Sequence, residues 1–179
     1  MSMKLFAALF ISLVMSTNLL QAAPGEPAPR WDIETWFNSE PLDVEDMKGK
    51  VVIIDFFQMV CVGCRRFSIP VVKGWEHRFK AQIAAGDLKI VSIHTVFEVH
   101  QIQTNTRLKK FLKKIKINHP VGVDRHKFGE WMPETMRSYK TKGTPEITII
   151  DKKGIIRFQK FGRFDVKEAQ TLIRKLLAE

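Results

Sequence analysis

The sequence predicts an α/β protein: a mixed central β-sheet flanked by helices. Three features point there. Two short apolar runs rich in β-branched residues, Val51–Phe57 and Leu88–His94, are each followed by helical periodicity, and such alternation requires parallel crossovers. A third run at 146–151 returns through Lys152-Lys153-Gly154 into 155–161, which reads as a hairpin and so as an antiparallel edge. The 179 residues are 45% hydrophobic, with 13 Phe and 4 Trp, enough to bury a core and to exclude intrinsic disorder.

The elements follow in order. Residues 1–23 read as an export signal: Lys4 opens it, an apolar stretch broken only by Ser12 follows, and Ala22-Ala23 suit a peptidase. The alternative is an uncleaved anchor, although the stretch is short of the roughly 20 residues a span needs. No cysteine lies near that junction, so a lipid-modified cysteine is not expected. Residues 24–179 are expected to form a single domain. Pro24-Gly25-Glu26-Pro27-Ala28-Pro29 makes a stiff extended lead-in. A short element at 42–47 ends at Lys48-Gly49-Lys50. Val51–Phe57 is apolar throughout except for Asp55, which fits a strand buried on both faces.

From 62 to 85 the pattern is helical, with Phe67, Val71, Trp75, Phe79 and Ile83 on one face. Pro70 is expected to kink it and Gly86-Asp87 to end it. After the strand Leu88–His94, a helix is expected over 106–117 with Leu108, Phe111, Leu112 and Ile115 inside. Lys109, Lys110, Lys113, Lys114 and Lys116 flank that stripe, either as a solvated face or as a dock for an acidic partner. Residues 119–124 read as a short strand and turn, and 126–139 as helical turns. Within them Trp131, Met132, Pro133 and Met136 fit either core or an apolar lip. Asp165 is placed to cap a last helix that buries Ala169, Leu172, Ile173, Leu176 and Leu177.

The formal charge is +10 with a pI near 9.8, and Lys4 is the only charged residue in 1–23. Such a chain favours acidic partners, or weak contact with an anionic membrane surface; nucleic acid is not expected of an exported protein. Only one apolar run exceeds ten residues, which excludes a polytopic membrane protein, and two cysteines exclude a disulfide framework.

Those two cysteines form Cys61-Val62-Gly63-Cys64, directly after a buried strand and opening a helix. Free backbone N–H groups and the helix dipole there favour a thiolate, Cys61 above all. Arg65 and Arg66 add positive charge. A thiolate that attacks beside a thiol that resolves is the minimum for thiol–disulfide exchange. A zinc site would need two further ligands, and His77, His94, His100, His119 and His126 show no paired spacing. A purely structural disulfide over so short a loop would stabilise little.

The whole of 24–179 resembles the secreted thioredoxin-fold redoxins of the TlpA/ResA type, a group that includes reductases of cytochrome c maturation. The likeness runs through Gly25-Glu26-Pro27-Ala28-Pro29, Asp46 to Val52, the CxxC, Gly143-Thr144-Pro145-Glu146, and Ile149 to Ile156. It implies a thioredoxin fold with an N-terminal extension and an inserted helix and strand. It implies Cys61 as nucleophile, Cys64 as resolving thiol, and Pro145 as a cis-proline facing them. The backbone of Thr144 would be free to pair with an extended substrate. Asp55, six residues before Cys61, would be a buried acid exchanging a proton with Cys64. Also implied are a disulfide-bearing protein substrate, a membrane thiol donor of the DsbD/CcdA kind, a periplasmic location, and no cofactor or metal beyond the disulfide.

Some positions depart from the family. Val60 stands where a Trp usually precedes the first cysteine, and Val62-Gly63 is neither proline-rich nor histidine-containing. That pair tunes the thiolate, so the direction of electron flow stays open, with a reductase expected. Two other readings are held beside it. A peroxiredoxin-type thiol peroxidase would want Thr or Ser three residues before the cysteine and a proline further back; Gln58 stands there and the proline is absent. A non-enzymatic binding module or chaperone would use the scaffold alone. His94 and Glu98, at the end of a strand, read as loop polar groups.

Overall fold

A computed structural model describes residues 24–179; the expected signal or anchor at 1–23 lies outside them. A six-stranded sheet runs in the order β1-β4-β3-β2-β5-β6. Its strands are β1 (Ile33–Phe37), β2 (Val51–Phe57), β3 (Leu88–His94), β4 (Val121–Asp124), β5 (Glu146–Ile150) and β6 (Ile156–Phe161). β2 pairs parallel with β3 and antiparallel with β5, and the hairpin β5–β6 forms one edge. The helices are α1 (Ile69–Arg78), α2 (Lys80–Ala85), α3 (Asn105–Ile115), α4 (Glu134–Ser138) and α5 (Val166–Ala178).

β2 is buried along its whole length because both faces of the sheet are covered. Val52, Ile54 and Phe56 enter one core with Trp31, Val91 and Tyr139. Val51 and Ile53 enter the other with Trp75 of α1 and Ile173 of α5. Asp55 is on that second face, and its parallel register partner is Ser92.

The helix expected over 62–85 is broken in two ways. Cys64–Ser68 is a turn of π-helix, in which the Ile69 N–H donates to the Cys64 carbonyl, five residues back. The wider turn rotates the face that follows, so Ile69, Val72, Trp75 and Phe79 are buried, while Phe67, Val71 and Ile83 are only half-buried. It also admits Pro70 into the first turn of α1, where no N–H is required. The second break is at Phe79, whose φ of −105° and ψ of 22° part α1 from α2. Of the turns expected over 126–139, only Glu134–Ser138 is helical, with Pro133 immediately before it.

β1 has no counterpart in the sequence reading. Its residues Ile-Glu-Thr-Trp-Phe do not alternate cleanly, it carries a register shift between Ile33 and Thr35, and it pairs only with β4. The lead-in is fastened to the opposite edge: the Gly25 N–H donates to Ile156 O and the Ile156 N–H to Glu26 O. Trp31 Nε1 donates to the Tyr139 hydroxyl, which donates in turn to Pro29 O. α3 buries Leu108 and Leu112 and leaves its lysines exposed. Asp165 caps α5, accepting from the N–H groups of Lys167 and Glu168. Among the described residues no helix is long and apolar enough to cross a membrane.

Candidate functional site

The C-terminal end of β2 delivers the chain into Gln58-Met59-Val60 and then into the first helical turn. Cys61 and Cys64 are joined there as a disulfide, with Cα atoms 5.3 Å apart. The two sulfurs are not equivalent. Cys64 is wholly buried, whereas Cys61 is partly exposed. The Cys64 N–H donates to Cys61 Sγ at 3.0 Å, and in the dithiol that bond, with the helix dipole, would favour a Cys61 thiolate.

A second segment closes over the pair from the start of β5. The Thr144–Pro145 bond is cis, and the Thr144 carbonyl oxygen lies 3.5 Å from Cys61 Sγ. Glycine suits the position just before it, where φ is 150° and a Cβ on Gly143 would stand 2.9 Å from the Phe161 ring. The buried carboxylate of Glu146 holds the turn from beneath, accepting from the Lys142 N–H at 3.1 Å and from Gln159 Nε2 at 2.7 Å. Burial raises its pKa. Gly63 faces Pro145 from the helix side: a Cβ there would be 3.0 Å from Pro145 Cδ and 3.8 Å from Cys61 Sγ.

Asp55 lies in β2 below this surface and is fully buried. Burial raises its pKa to about 7, opposed by the Ser68 hydroxyl and, after it, by the charge of His119. Ser68 is one turn beyond Cys64, so the carboxyl sits under the turn that carries the buried sulfur. A polar seam continues from there: Ser92, register partner of Asp55, bonds His119 Nε2 at 2.7 Å, and His119 Nδ1 bonds Glu76 at 2.8 Å. Glu76 is partly exposed, so the seam reaches the surface.

A further polar group backs Thr144. Gln58 Nε2 donates to Thr144 Oγ1 at 3.4 Å, and Gln58 Oε1 accepts from Gln103, whose own Oε1 meets His94 Nε2 at 3.3 Å. His94, read from sequence as a loop group, is instead buried completely, and burial lowers its pKa to about 4. The loop carrying Gln103 folds over it, which no local pattern signals. Glu98 is exposed, with Oε1 3.5 Å from Gln58 Nε2.

The structure thus brings Cys61, Cys64, Thr144 and Pro145 together, with Cys61 and Thr144 partly exposed and Cys64 and Pro145 buried, and buries Asp55 in the strand that leads to them. Sequence reasoning missed Gln58, Gln103, Ser92, His119 and Glu76. Gln58 alone had a signal, a polar residue closing an apolar run. Of the apolar lip, Met136 and Pro133 are core, while Trp131 is exposed and stacks near Phe97 at 6.0 Å between ring centres. Among the described residues no three His, Cys, Asp or Glu side chains gather as a metal cluster would.

Residues 24–159 match the AhpC/TSA family. A solved thioredoxin-like superfamily protein is 38% identical, with a TM-score of 0.78 over 86% of this chain and 97% of that one. A thiol-disulfide isomerase from Corynebacterium glutamicum is 36% identical, with a TM-score of 0.75 over 85% and 97%. Protein DipZ of Mycobacterium bovis is 30% identical over 149 residues; the match takes 81% of this chain but spans only 20% of DipZ. The chain belongs to the AhpC/TSA family, and with a redox disulfide at the helix start of a thioredoxin-like fold it is a thiol–disulfide oxidoreductase.

Proposed function

We propose that the protein is an exported, periplasmic disulfide reductase acting on disulfide-bearing proteins. One observation carries the reading: an asymmetric Cys61–Cys64 pair, one sulfur accessible and one buried, above a buried carboxyl of near-neutral pKa. The Cys61 thiolate attacks a substrate disulfide; a Cys61–substrate bond forms and the other substrate sulfur leaves as a thiolate that takes up a proton. Cys64 then gives its proton to Asp55 and attacks Cys61 Sγ. The Cys61–Cys64 bond forms as the mixed disulfide breaks, and the second substrate sulfur leaves as a thiolate that takes up a proton. Two electrons and two protons pass to the substrate, and the protein is left with the disulfide seen here. Burial makes Asp55 a stronger base than an ordinary carboxylate, which suits the role of accepting the Cys64 proton, a step that belongs to substrate reduction.

In an oxidising compartment the dithiol must be regenerated, and a membrane thiol donor of the DsbD/CcdA kind would supply the two electrons. Residues 1–23, as signal or anchor, support export.

The reduction potential of the Cys61/Cys64 pair, measured against glutathione or dithiothreitol by thiol trapping, tests the direction. A value near or below roughly −230 mV supports a reductase; a value nearer roughly −120 mV makes the protein an oxidant and overturns the direction. Mass analysis of the protein from fractionated cells tests export: loss of 1–23 is expected in the periplasmic fraction.

A further inference from the structure

Three clefts open beside the disulfide. The first, about 370 Å³, starts at Met59-Val60, immediately before Cys61, has Phe111 and Ile115 in its floor, and is rimmed by Arg65, Arg107 and Lys114. A second, about 630 Å³, shares Arg65, Lys114 and Ile115 and adds Lys73 and Lys116. The third lies among Val62, Arg65 and Arg66. No Asp or Glu lines any of them. Among the described residues, none of these six cations is in an ion pair. The other arginines, by contrast, are mostly paired: Arg30, Arg125, Arg137 and Arg157 each hold a carboxylate.

We infer that this groove between α1 and α3 is the docking surface for the chain that flanks the substrate's disulfide, and that this flanking chain is acidic with an apolar anchor. The inference rests on the reductase reading and names its substrate class. Lys73 Nζ donates to the Ile115 carbonyl at 2.8 Å, but Arg65, Arg66, Arg107, Lys114 and Lys116 stand around the apolar floor with a charge that no carboxylate answers among the described residues. An isolated exposed ion pair stabilises by only about 0–1 kcal/mol, but a one-signed concave surface steers an oppositely charged partner and raises its capture rate. The first cleft begins at Val60 and the third at Val62, each one residue from Cys61, so a segment lying in them brings its own disulfide to the accessible sulfur. A membrane surface is flat and would not fill a cleft with an apolar floor. That geometry favours a polypeptide over an anionic bilayer for the same charges.

Three short peptides test it, each with one internal disulfide and one leucine, flanked by Asp/Glu, by Ser/Gly or by Lys/Arg. The pre-reduced full-length protein is mixed with each, and the rate of disulfide loss is followed. The acidic peptide is expected to react at least about tenfold faster than the basic one at low ionic strength, the gap closing in high salt. Arg107→Glu with Lys114→Glu should collapse or invert that ratio. Equal rates for all three peptides would overturn the docking proposal and leave the reductase reading standing. No reaction with any of them would overturn the reductase reading, and the docking proposal with it. Equal rates together with binding to vesicles of phosphatidylglycerol would assign the charges to a membrane surface, against the proposal.

Discussion

Gly63 stands against Pro145 so closely that a methyl group on it would lie 3.0 Å from Pro145 Cδ. Gly63 is itself helical, with φ −61° and ψ −42°, so alanine would gain up to about 1 kcal/mol in helix propensity. Overpacking against the proline costs about 1–3 kcal/mol. Gly63→Ala is therefore expected to change stability by less than about 2 kcal/mol while displacing the proline from the sulfurs. Exchange with a peptide disulfide should slow several-fold, read by stopped-flow fluorescence beside a urea titration of the oxidised protein. Unchanged exchange would mean that the Pro145 ring does not set the approach to Cys61.

Asp55 makes stability depend on pH in a definite direction. Its folded pKa of about 7 is above the model-compound value of 3.8, so the folded state binds the proton more tightly. Stability contributed by the protonated form is full below pH 4 and is lost as pH rises to 7. A gap of that size corresponds to about 4 kcal/mol. Asp55→Asn should therefore be most advantaged over wild type at and above neutral pH, and the advantage should shrink as pH falls toward 4. Denaturation of both oxidised proteins at several pH values reads this directly. A difference that stays constant with pH would mean that Asp55 is not held protonated by burial.

His119 acts on that same acid from a distance: a proton on its ring lowers the Asp55 pKa, and both ring nitrogens are engaged, by Ser92 and Glu76. His119→Gln keeps a polar side chain but removes the charge. The expected result is an upward move of the acid limb in the pH profile of mixed-disulfide resolution. A loss of about 1–3 kcal/mol should accompany it as Ser92 and Glu76 lose a partner. Loss of stability with an unmoved pH profile would assign His119 a packing role alone.

Gln58 ties the end of β2 to the hydroxyl of Thr144 and to Gln103. Gln58→Leu is close in volume but removes one of the two acceptors of the buried Gln103 amide, which keeps the Glu98 carbonyl at 2.9 Å, at about 1–3 kcal/mol for the N–H left unpaired. The more telling readout is KM for a peptide disulfide. It should rise as Thr144 loosens, while the rate with a small disulfide such as hydroxyethyl disulfide changes less. An equal effect on both substrates would place Gln58 in the chemistry of the sulfurs and not in holding the Thr144 segment.

The sheet and the cysteines were legible because their signals are local. β2 announces itself as an unbroken apolar run, and the CxxC follows within a few residues of its end. The hairpin and the cap at Asp165 are likewise written in adjacent residues. What stayed hidden depends on residues far apart in the chain. Ser92, His119 and Glu76 meet across separations of 27 and 43 residues, and nothing beside any of them marks the meeting. β1 is an edge strand whose partner comes some 90 residues later, and its burial is too shallow to impose alternation. The π-turn shifted a helical face because one wider turn moves every later side chain, and a period of four cannot show where that happens.

The burial of Cys64 has a temporal consequence. Once a substrate is held covalently on Cys61, the resolving sulfur is already in place beneath it, because Cys64 is buried in the same helical turn. Resolution from within then competes with any outside thiol that attacks the mixed disulfide at the partly exposed Cys61, and its rate depends on how readily the first helical turn brings Cys64 to its neighbour. That internal route gives the protein a way out of the covalent complex that does not wait on a second molecule.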